Sequence, residues 1–429
     1  MFRIKNMILP ITFLILVTLL LSSYLSASTA IIGSIFKTHL AEAQSYIQTI
    51  KYRNLVIDLG NGLKTNAQLT IPAIGNGPFP GVLLVHSSGA LDMNETLAKN
   101  TKPFWQISQY LSERGFVVLR YDKRGIGANS TIIDHNIWGN TTVNSLIHDA
   151  EIALDVLMHQ PMVDPNRISI IGHSEGTAIG ARVAIDNPNK VKNIVLMGTV
   201  AENFSKIAFS QFVSAPLSYA NRVLDHNHSG LISIQQIATD PLFIKVGSIF
   251  YANNTTKALT NALAQESGNE RNSSGYVSID GQLRPFLVQI YNNSTAFNLS
   301  KCNGVDRCPI LVRSESNLEP TLSIIGNVSK STGILILNGE NDSETPVQEA
   351  FLLQQKLAEV NHPDHTLITY PGLGHLFYPS SQWITASGPI ERYVLSDLFA
   401  WLSRHKVNTA IHDENPQTNT GLASLVINK

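Results

Sequence analysis

The chemistry-bearing residues of this chain begin with Ser174. Residues 172–176 read Gly-His-Ser-Glu-Gly, so a glycine lies two positions to either side of the serine. An apolar, β-prone run (168–171) precedes this pattern, and small, helix-compatible residues (177–181) follow it. The order predicts a strand, a sharp turn and a helix, with the serine hydroxyl lifted clear of the sheet at the tip of the turn. The glycines let strand and helix pack where a Cβ would collide. We interpret Ser174 as a nucleophile.

A serine hydroxyl needs a general base, and that base needs a carboxylate to orient it. Residues 334–337 predict a buried strand, and Asp342 lies in the turn that follows it. Residues 367–370 predict another strand, and a glycine-containing loop leads from it to His375. The chain order of serine, acid and histidine, with each partner directly after a strand, predicts a catalytic triad. In this triad His375 is the base and Asp342 holds its tautomer.

These assignments leave alternatives open. Asp342 is the preferred acid; the alternative is that Asp342 caps the N-terminus of the next helix and that Glu340 or Glu344 is the acid. His173, beside the serine, is interpreted as a packing residue rather than a second base.

The tetrahedral intermediate of acyl transfer needs backbone N–H donors aimed at its oxygen. One predicted donor is the amide of Glu175, directly after the nucleophile. The other should come from the loop after the buried strand 81–86, which reads His-Ser-Ser-Gly from position 86. By position we choose Ser88, with Ser87 as the alternative.

The elements that must position these residues alternate between strands and helices. Residues 52–59 and 64–71 predict a hairpin, and continuous apolar runs at 81–86, 116–121, 168–171 and 194–197 predict strands buried on both faces. Helical patterns at 103–115 and 142–159 lie between them. From 201 to 331 helical stretches alternate with Asn/Ser-rich turns, and the strand–helix rhythm resumes at 333. The arrangement predicts a mostly parallel sheet covered on both faces, with an inserted cap.

Three blocks resemble one family. Residues 85–96 read Val-His-Ser-Ser-Gly-Ala-Leu-Asp-Met-Asn-Glu-Thr, residues 115–127 read Gly-Phe-Val-Val-Leu-Arg-Tyr-Asp-Lys-Arg-Gly-Ile-Gly, and residues 171–176 read Ile-Gly-His-Ser-Glu-Gly. They resemble exported bacterial and archaeal serine esterases of the α/β-hydrolase superfamily, whose loop reads His-Gly-Ser-Gly-Pro-x-Asp-x-x-Glu-Thr. The resemblance covers roughly 50–200 and 333–405. It implies the α/β-hydrolase fold and a carboxylic ester hydrolase that works through an acyl-enzyme.

The chain departs from that pattern at two positions of the loop. Ser87 stands where the family has Gly, and Ala90 stands where it has Pro. A serine at the first position would narrow the approach to the oxyanion hole. In the second block, Asp122 and Arg124 look catalytic by type, but the resemblance implies that they fix loops around the elbow through charge-assisted hydrogen bonds.

Inside the predicted cap, residues 225–236 follow the spacing of a calcium-binding EF-hand loop. The candidate ligands are Asp225, Asn227, Ser229, Leu231, Ser233 and Gln236. Gln236 stands where a bidentate Glu is wanted, which removes a charge. Residues 270–281 repeat the spacing, but Gly281 cannot ligate at the twelfth position. We expect a degenerate EF-hand pair, with calcium at the first loop as the hypothesis and two Asn/Ser turns as the alternative; the triad chemistry itself needs no cofactor.

The N-terminus predicts export. Arg3 and Lys5 precede an apolar run (7–21), and small residues follow at 26–30, the layout of a secretory signal. An uncleaved anchor is the alternative, since residues 7–25 just reach spanning length.

Two further features agree with export. In an exported protein, Cys302 and Cys308 suit a short-loop disulfide. Glycosylation sequons are frequent, and they include Asn94, Asn129, Asn140, Asn203, Asn254, Asn293, Asn298 and Asn327.

Composition limits the function classes. The 429 residues are 43% apolar and 15% charged with a net charge of −1, which fits a folded protein and gives no reason to expect nucleic acid or an anionic membrane as a partner. We divide the chain into a signal or anchor (1–30), a first core part (46–200), a cap (201–331), a second core part (332–405) and a tail (406–429).

The predicted function is that of a serine esterase acting on a small-molecule ester. A prolyl-type aminopeptidase, an acyltransferase and a non-catalytic binding protein with a Ca²⁺-responsive cap are the alternatives.

Overall fold

The computed structural model describes residues 49–98, 101–250, 275–295 and 308–405. The predicted signal or anchor, the tail from 406, Cys302 and the sequons at Asn254 and Asn298 lie outside the described residues. In the described part of the chain no helix is both long and apolar enough to cross a bilayer.

One eight-stranded sheet organises the described residues. Its strands, with two short ladders elsewhere, are β1 (Ile50–Asp58), β2 (Lys64–Pro72), β3 (Phe79–Val85), β4 (Val117–Tyr121), β5 (Ile126–Gly127), β6 (Thr131–Ile132), β7 (Val163–His173), β8 (Val191–Met197), β9 (Leu231–Ser233), β10 (Tyr276–Ser278), β11 (Gly333–Gly339) and β12 (His365–Tyr370). The order in the large sheet is β1-β2-β4-β3-β7-β8-β11-β12. The first three strands pair antiparallel and all later neighbours pair parallel. The predicted mostly parallel sheet is confirmed.

The described residues form thirteen α-helices. They are α1 (Pro103–Ser112), α2 (His135–Gly139), α3 (Val143–Met158), α4 (Glu175–Asp186), α5 (Phe204–Phe209), α6 (Ala215–Tyr219), α7 (Ile234–Thr239), α8 (Pro241–Phe250), α9 (Arg284–Thr295), α10 (Pro309–Ser316), α11 (Thr321–Ile324), α12 (Val347–Glu359) and α13 (Arg392–Arg404). Helices α3, α4 and α12 pack on one face, and α1 and α13 pack on the other. The sheet is buried between them because successive strand residues point to opposite faces: Leu83 belongs to the first apolar cluster and Leu84 to the second.

The segment between β8 and β11 is built differently. Its described residues hold α5 to α11, three π-helical stretches (Ser210–Ser214, Ala220–Leu224 and Ile279–Leu283) and the two-stranded ladder β9–β10. Fourteen buried apolar side chains between Phe212 and Ile290 form a third cluster, separate from the two that flank the sheet. We refer to this set as the third apolar cluster. The short strands β9 and β10 were not predicted, since three-residue strands carry too little alternation to be read from sequence.

Candidate active site

Ser174 lies at a strained turn between β7 and α4. Its φ of 53° and ψ of −117° are a conformation that costs a non-glycine residue energy and persists only when the surroundings enforce it. The two glycines explain the tightness of the turn. A Cβ on Gly172 would lie 2.1 Å from the Gly176 carbonyl oxygen, and a Cβ on Gly176 would lie 2.0 Å from the Val85 oxygen. The predicted strand–turn–helix around Ser174 is therefore present.

Asp342 and His375 meet by a hydrogen bond of 2.9 Å between Oδ2 and Nδ1. The Asp342 carboxylate also accepts hydrogen bonds from the backbone amides of Glu344 and Thr345 and from the Thr345 hydroxyl. Both Asp342 and His375 are buried. Because Nδ1 faces the carboxylate, Nε2 is the nitrogen left to exchange a proton with a nucleophile.

The alternative acids are placed differently. Glu340 is exposed and accepts a hydrogen bond from Thr369. Glu344 lies on the other side of the imidazole, with Oε2 3.8 Å from His375 Nε2 and Oε1 3.2 Å from Lys245 Nζ. Asp342 is thus the carboxylate that contacts His375 Nδ1, and Glu344 is a second carboxylate near Nε2.

This setting changes how His375 and Glu344 titrate. Burial by itself lowers the pKa of His375, but the carboxylates of Asp342 and Glu344 and the hydrogen bond with Asp342 raise it to about 9. Burial raises the pKa of Glu344, but His375 and Lys245 lower it to about 2. At neutral pH the imidazolium form of His375 is therefore favoured.

Contacts of two neighbouring residues bring the elbow close to His375. His173, the neighbour of Ser174, places its ring 4.8 Å from the ring of His375, centroid to centroid. A Cβ on Gly198, which follows β8, would lie 3.0 Å from His375 Cε1, so a side chain there would displace the imidazole. Within the described residues no hydrogen bond joins the Ser174 hydroxyl to His375, and such bonds are often long before a substrate binds.

The loop after β3 narrows the choice of oxyanion donors. The Ser87 amide donates to Glu95 Oε1 at 2.8 Å and is therefore engaged, so the alternative donor is unavailable. Among the described residues no acceptor takes the amide of Ser88, which is half-buried. Glu175 is the first residue of α4, and the first amides of a helix have no acceptor within it. Among the described residues the amides of Ser88 and Glu175 thus remain candidates for the two oxyanion donors.

A buried pair, Glu95 and His173, was not predicted. Glu95 Oε1 lies 2.9 Å from His173 Nδ1, and His173 Nε2 lies 3.1 Å from the His375 carbonyl oxygen. Burial would raise the pKa of Glu95, but His173 and the Ser87 hydrogen bonds lower it. His173 is therefore a polar bridge between the loop after β3 and the loop that carries His375, and more than a packing residue. The one signal in the sequence was its place beside Ser174.

The charged residues after β4 tie loops together. Arg124 pairs with Asp149 of α3 through two hydrogen bonds of 2.8 Å and 2.5 Å. Asp122 accepts a hydrogen bond from the Met93 amide, and burial raises its pKa to about 6. Between them Lys123 is buried, with Nζ 2.6 Å from the Ser87 carbonyl oxygen and 2.8 Å from Glu175 Oε2. Sequence reasoning had passed over this lysine.

The EF-hand-like loop 225–236 forms an antiparallel ladder with the second loop, in which Ile232 pairs with Val277. Asp225 is buried and accepts hydrogen bonds from the amides of Ser229 and Gly230. The Gln236 side chain accepts from the Ser233 amide and donates to the Leu224 carbonyl. Ligand oxygens at two candidate positions are thus engaged by the protein itself. Calcium binding stays a prediction, which calorimetric titration with Ca²⁺ would test.

Two further predicted features end at the limits of the described residues. Cys308 is buried at the N-terminus of α10, but its predicted partner Cys302 lies outside them, so the disulfide stays a prediction. Within the described ranges no group of three or more His, Cys, Asp or Glu side chains is arranged to hold a metal ion.

Comparison with known proteins gives the family. Residues 81–381 match the family described as alpha/beta hydrolase fold. Esterase EstD of Thermotoga maritima is 35% identical over 152 residues, 35% of this chain and 34% of that protein. Esterase FrsA of Yersinia enterocolitica is 28% identical over 159 residues, 37% of this chain and 34% of that protein. The chain thus spans about a third of the length of the curated relatives that it matches.

Solved structures give a looser likeness. Proline iminopeptidase of Mycobacterium smegmatis has a TM-score of 0.47 and 16% identity, over 82% of this chain and 99% of that one. The family match covers well over half of the 429 residues and runs from within β3 to beyond β12. The chain therefore belongs to the alpha/beta hydrolase fold family.

Proposed function

We propose that this protein hydrolyses carboxylic esters through an acyl-enzyme formed on Ser174. The observation that carries the proposal is the buried Asp342–His375 hydrogen bond beside the strained elbow that presents Ser174. Two relatives named esterase, EstD and FrsA, support the reaction class.

The proposed chemistry has two halves. Ser174 Oγ attacks the ester carbonyl carbon while its proton passes to His375 Nε2, and the carbonyl oxygen takes the negative charge. The Ser88 and Glu175 amides hydrogen-bond that oxygen. The carbon–oxygen bond to the alcohol then breaks, and the imidazolium gives its proton to the leaving alcohol. Water repeats the sequence on the acyl-serine, which releases the acid and restores Ser174.

The segment 201–331 is proposed to act as a cap over this site. Gln211 donates a hydrogen bond of 2.6 Å to the Glu344 carbonyl oxygen, and Lys245 forms an ion pair with its side chain. Glu344 is the residue whose carboxylate lies 3.8 Å from His375 Nε2. Contacts from the segment to a neighbour of the imidazole are what a cap that shapes substrate access would make.

Export is proposed from the N-terminal segment alone. The cationic start, apolar run and small residues of 1–30 support a secretory signal or an anchor. N-terminal sequencing of the protein released by its host would show whether the chain begins after Ala27 or Ala30, and an intact Met1 in a released protein would contradict cleavage.

Labelling with a fluorophosphonate probe tests the proposed function. We expect the wild type to be labelled and Ser174→Ala to remain unlabelled, because the probe reacts only with an activated serine. A panel of acyl esters and aminoacyl amides should show turnover of the esters. Absence of labelling in the wild type would contradict a serine hydrolase and favour a binding protein, whereas selective cleavage of the amides would favour an aminopeptidase.

A further inference from the structure

Lys123 connects the two backbone amides assigned above to the oxyanion hole. It follows β4, and it is only 2% exposed. Its Nζ donates 2.6 Å to the Ser87 carbonyl oxygen and 2.8 Å to Glu175 Oε2. Glu175 is fully buried, and within the described residues its other carboxylate oxygen has no hydrogen-bond partner. One cation thus holds the loop after β3 and the first residue of α4.

The first contact acts on the peptide that carries a donor. The Ser87 carbonyl and the Ser88 amide belong to the same peptide group, which is planar, with the two bonds pointing in opposite directions when it is trans. A cation on the carbonyl oxygen therefore fixes the direction of the Ser88 N–H. It also draws electron density from the amide and strengthens the N–H as a donor, since hydrogen bonds in series polarise one another.

The same loop is held from its other side. The Ser87 amide donates to Glu95, so the peptide groups before and after Ser87 both have a buried, charged partner. Rotation of the Ser87–Ser88 peptide would break the contact with Lys123 and leave the buried ammonium with Glu175 as its one hydrogen-bond partner among the described residues. Loss of a hydrogen bond to a buried charge is costly in a low-dielectric interior. The direction of the Ser88 N–H is therefore fixed before a substrate binds.

The second contact acts on the residue that carries the other donor. Glu175 supplies its own amide at the N-terminus of α4, and its side chain reaches back to Lys123. A buried ion pair adds little stability compared with apolar side chains of the same volume. The Lys123–Glu175 pair lies between the residues that carry the Ser88 and Glu175 amides. This position favours a role in stabilising the transition state over a role in folding.

We propose that Lys123 is a positioning residue that orients and polarises the Ser87–Ser88 peptide and ties it to Glu175, so that both oxyanion donors converge on one point. The inference rests on the proposed function, because it concerns the oxygen that becomes charged in that reaction. Lys123 itself does not touch the substrate.

The test compares variants that remove the cation with a neighbouring control. Lys123→Met keeps the length of the side chain and removes the charge. Lys123→Met/Glu175→Met removes both charges, so it avoids a lone buried carboxylate and should fold. Lys123→Arg keeps the charge. Arg124→Met, in the same turn, is the control. It breaks the ion pair with Asp149 and the hydrogen bond to the Ser145 carbonyl oxygen, and neither contact involves the loop after β3.

We expect the two charge-removing variants to lose kcat for a short-chain ester by about 10²-fold, with KM nearly unchanged, because loss of one oxyanion donor costs that much. Affinity for a trifluoromethyl ketone, which forms a tetrahedral adduct with the serine, should fall by the same factor. Lys123→Arg should recover most of the kcat. Arg124→Met should lower the melting temperature and leave kcat within a few-fold of wild type.

A folded double variant with the kcat and ketone affinity of wild type would overturn the inference, as would equal losses in the Lys123 and Arg124 variants. If Lys123→Met alone fails to fold, the double variant and Lys123→Arg still decide the question. A wild type that neither turns over esters nor labels at Ser174 would instead contradict the proposed function, so the two failures are distinguishable.

Discussion

At the scale of single residues, His375 is held between two carboxylates. Asp342 contacts Nδ1 at 2.9 Å, and Glu344 lies 3.8 Å from Nε2. A general base must be neutral to accept the proton of Ser174. With the pKa of His375 raised to about 9, kcat/KM should increase as the pH rises through that value.

Glu344→Gln should move this rise of kcat/KM to lower pH by about one unit. Two charges about 4 Å apart interact by about 1 kcal/mol in a water-like setting, and one pKa unit is about 1.4 kcal/mol. Glu344 is partly exposed, which is why the water-like value applies. The measurement is a pH profile of kcat/KM for one ester.

Glu340→Gln is the matched control, since this exposed carboxylate contacts Thr369 and not the imidazole. Its profile should coincide with that of wild type. A shift to higher pH in Glu344→Gln would contradict the assignment, and a loss of kcat of about 10⁴-fold would identify Glu344 as the orienting acid.

At the scale of elements, the elbow depends on the contact between α4 and β3. Gly176→Ala places a Cβ 2.0 Å from the Val85 carbonyl oxygen, a backbone atom that cannot yield without moving the strand. We expect a loss of at least about 3 kcal/mol in the free energy of unfolding, measured by urea denaturation.

Gly180→Ala is the control within the same helix. Its Cβ would lie 3.1 Å from the Ile170 Cγ2 methyl, which is a side-chain contact, and alanine favours a helix by about 1 kcal/mol over glycine. The free energy of unfolding should change by less than about 1 kcal/mol. Similar losses in the two variants would show that the close approach at Gly176 has no special weight.

The long strands could be predicted from the sequence, but two short strands could not. The long buried strands were predicted from apolar runs such as 81–86, because a strand covered on both faces needs no polar alternation. The ladder of Leu231–Ser233 with Tyr276–Ser278 was missed as strands, although the spacing of both loops had been noted. Each strand exists only through its partner 45 residues away, and no local pattern reports such a pairing.

At the scale of the whole molecule, the segment between β8 and β11 has an apolar cluster of its own. Phe243 is fully buried in the third apolar cluster, and Ile244 beside it is 40% exposed. Phe243→Ala should lower the free energy of unfolding by about 3–5 kcal/mol, because truncating a buried aromatic side chain leaves a cavity.

Ile244→Ala should change the free energy of unfolding by no more than about 0.5–1 kcal/mol, as exposed positions usually do. Urea denaturation monitored by tryptophan fluorescence compares the two. Equal and small effects would mean that the third apolar cluster adds little to the stability of the molecule.

The sequence by itself determined the alternation that builds a parallel sheet, and it predicted Ser174 as the candidate nucleophile with candidate partners in chain order. These features are local, since a Gly-x-Ser-x-Gly turn, a buried run and a loop after a strand are each read within a dozen residues. Only the tertiary structure decided that Asp342, and not Glu340 or Glu344, contacts His375 Nδ1, that the Ser87 amide is engaged by Glu95, and that Lys123 reaches Ser87 and Glu175. Those choices depend on distances between side chains far apart in the chain. Burial makes each such contact strong, and no spacing in the sequence encodes it.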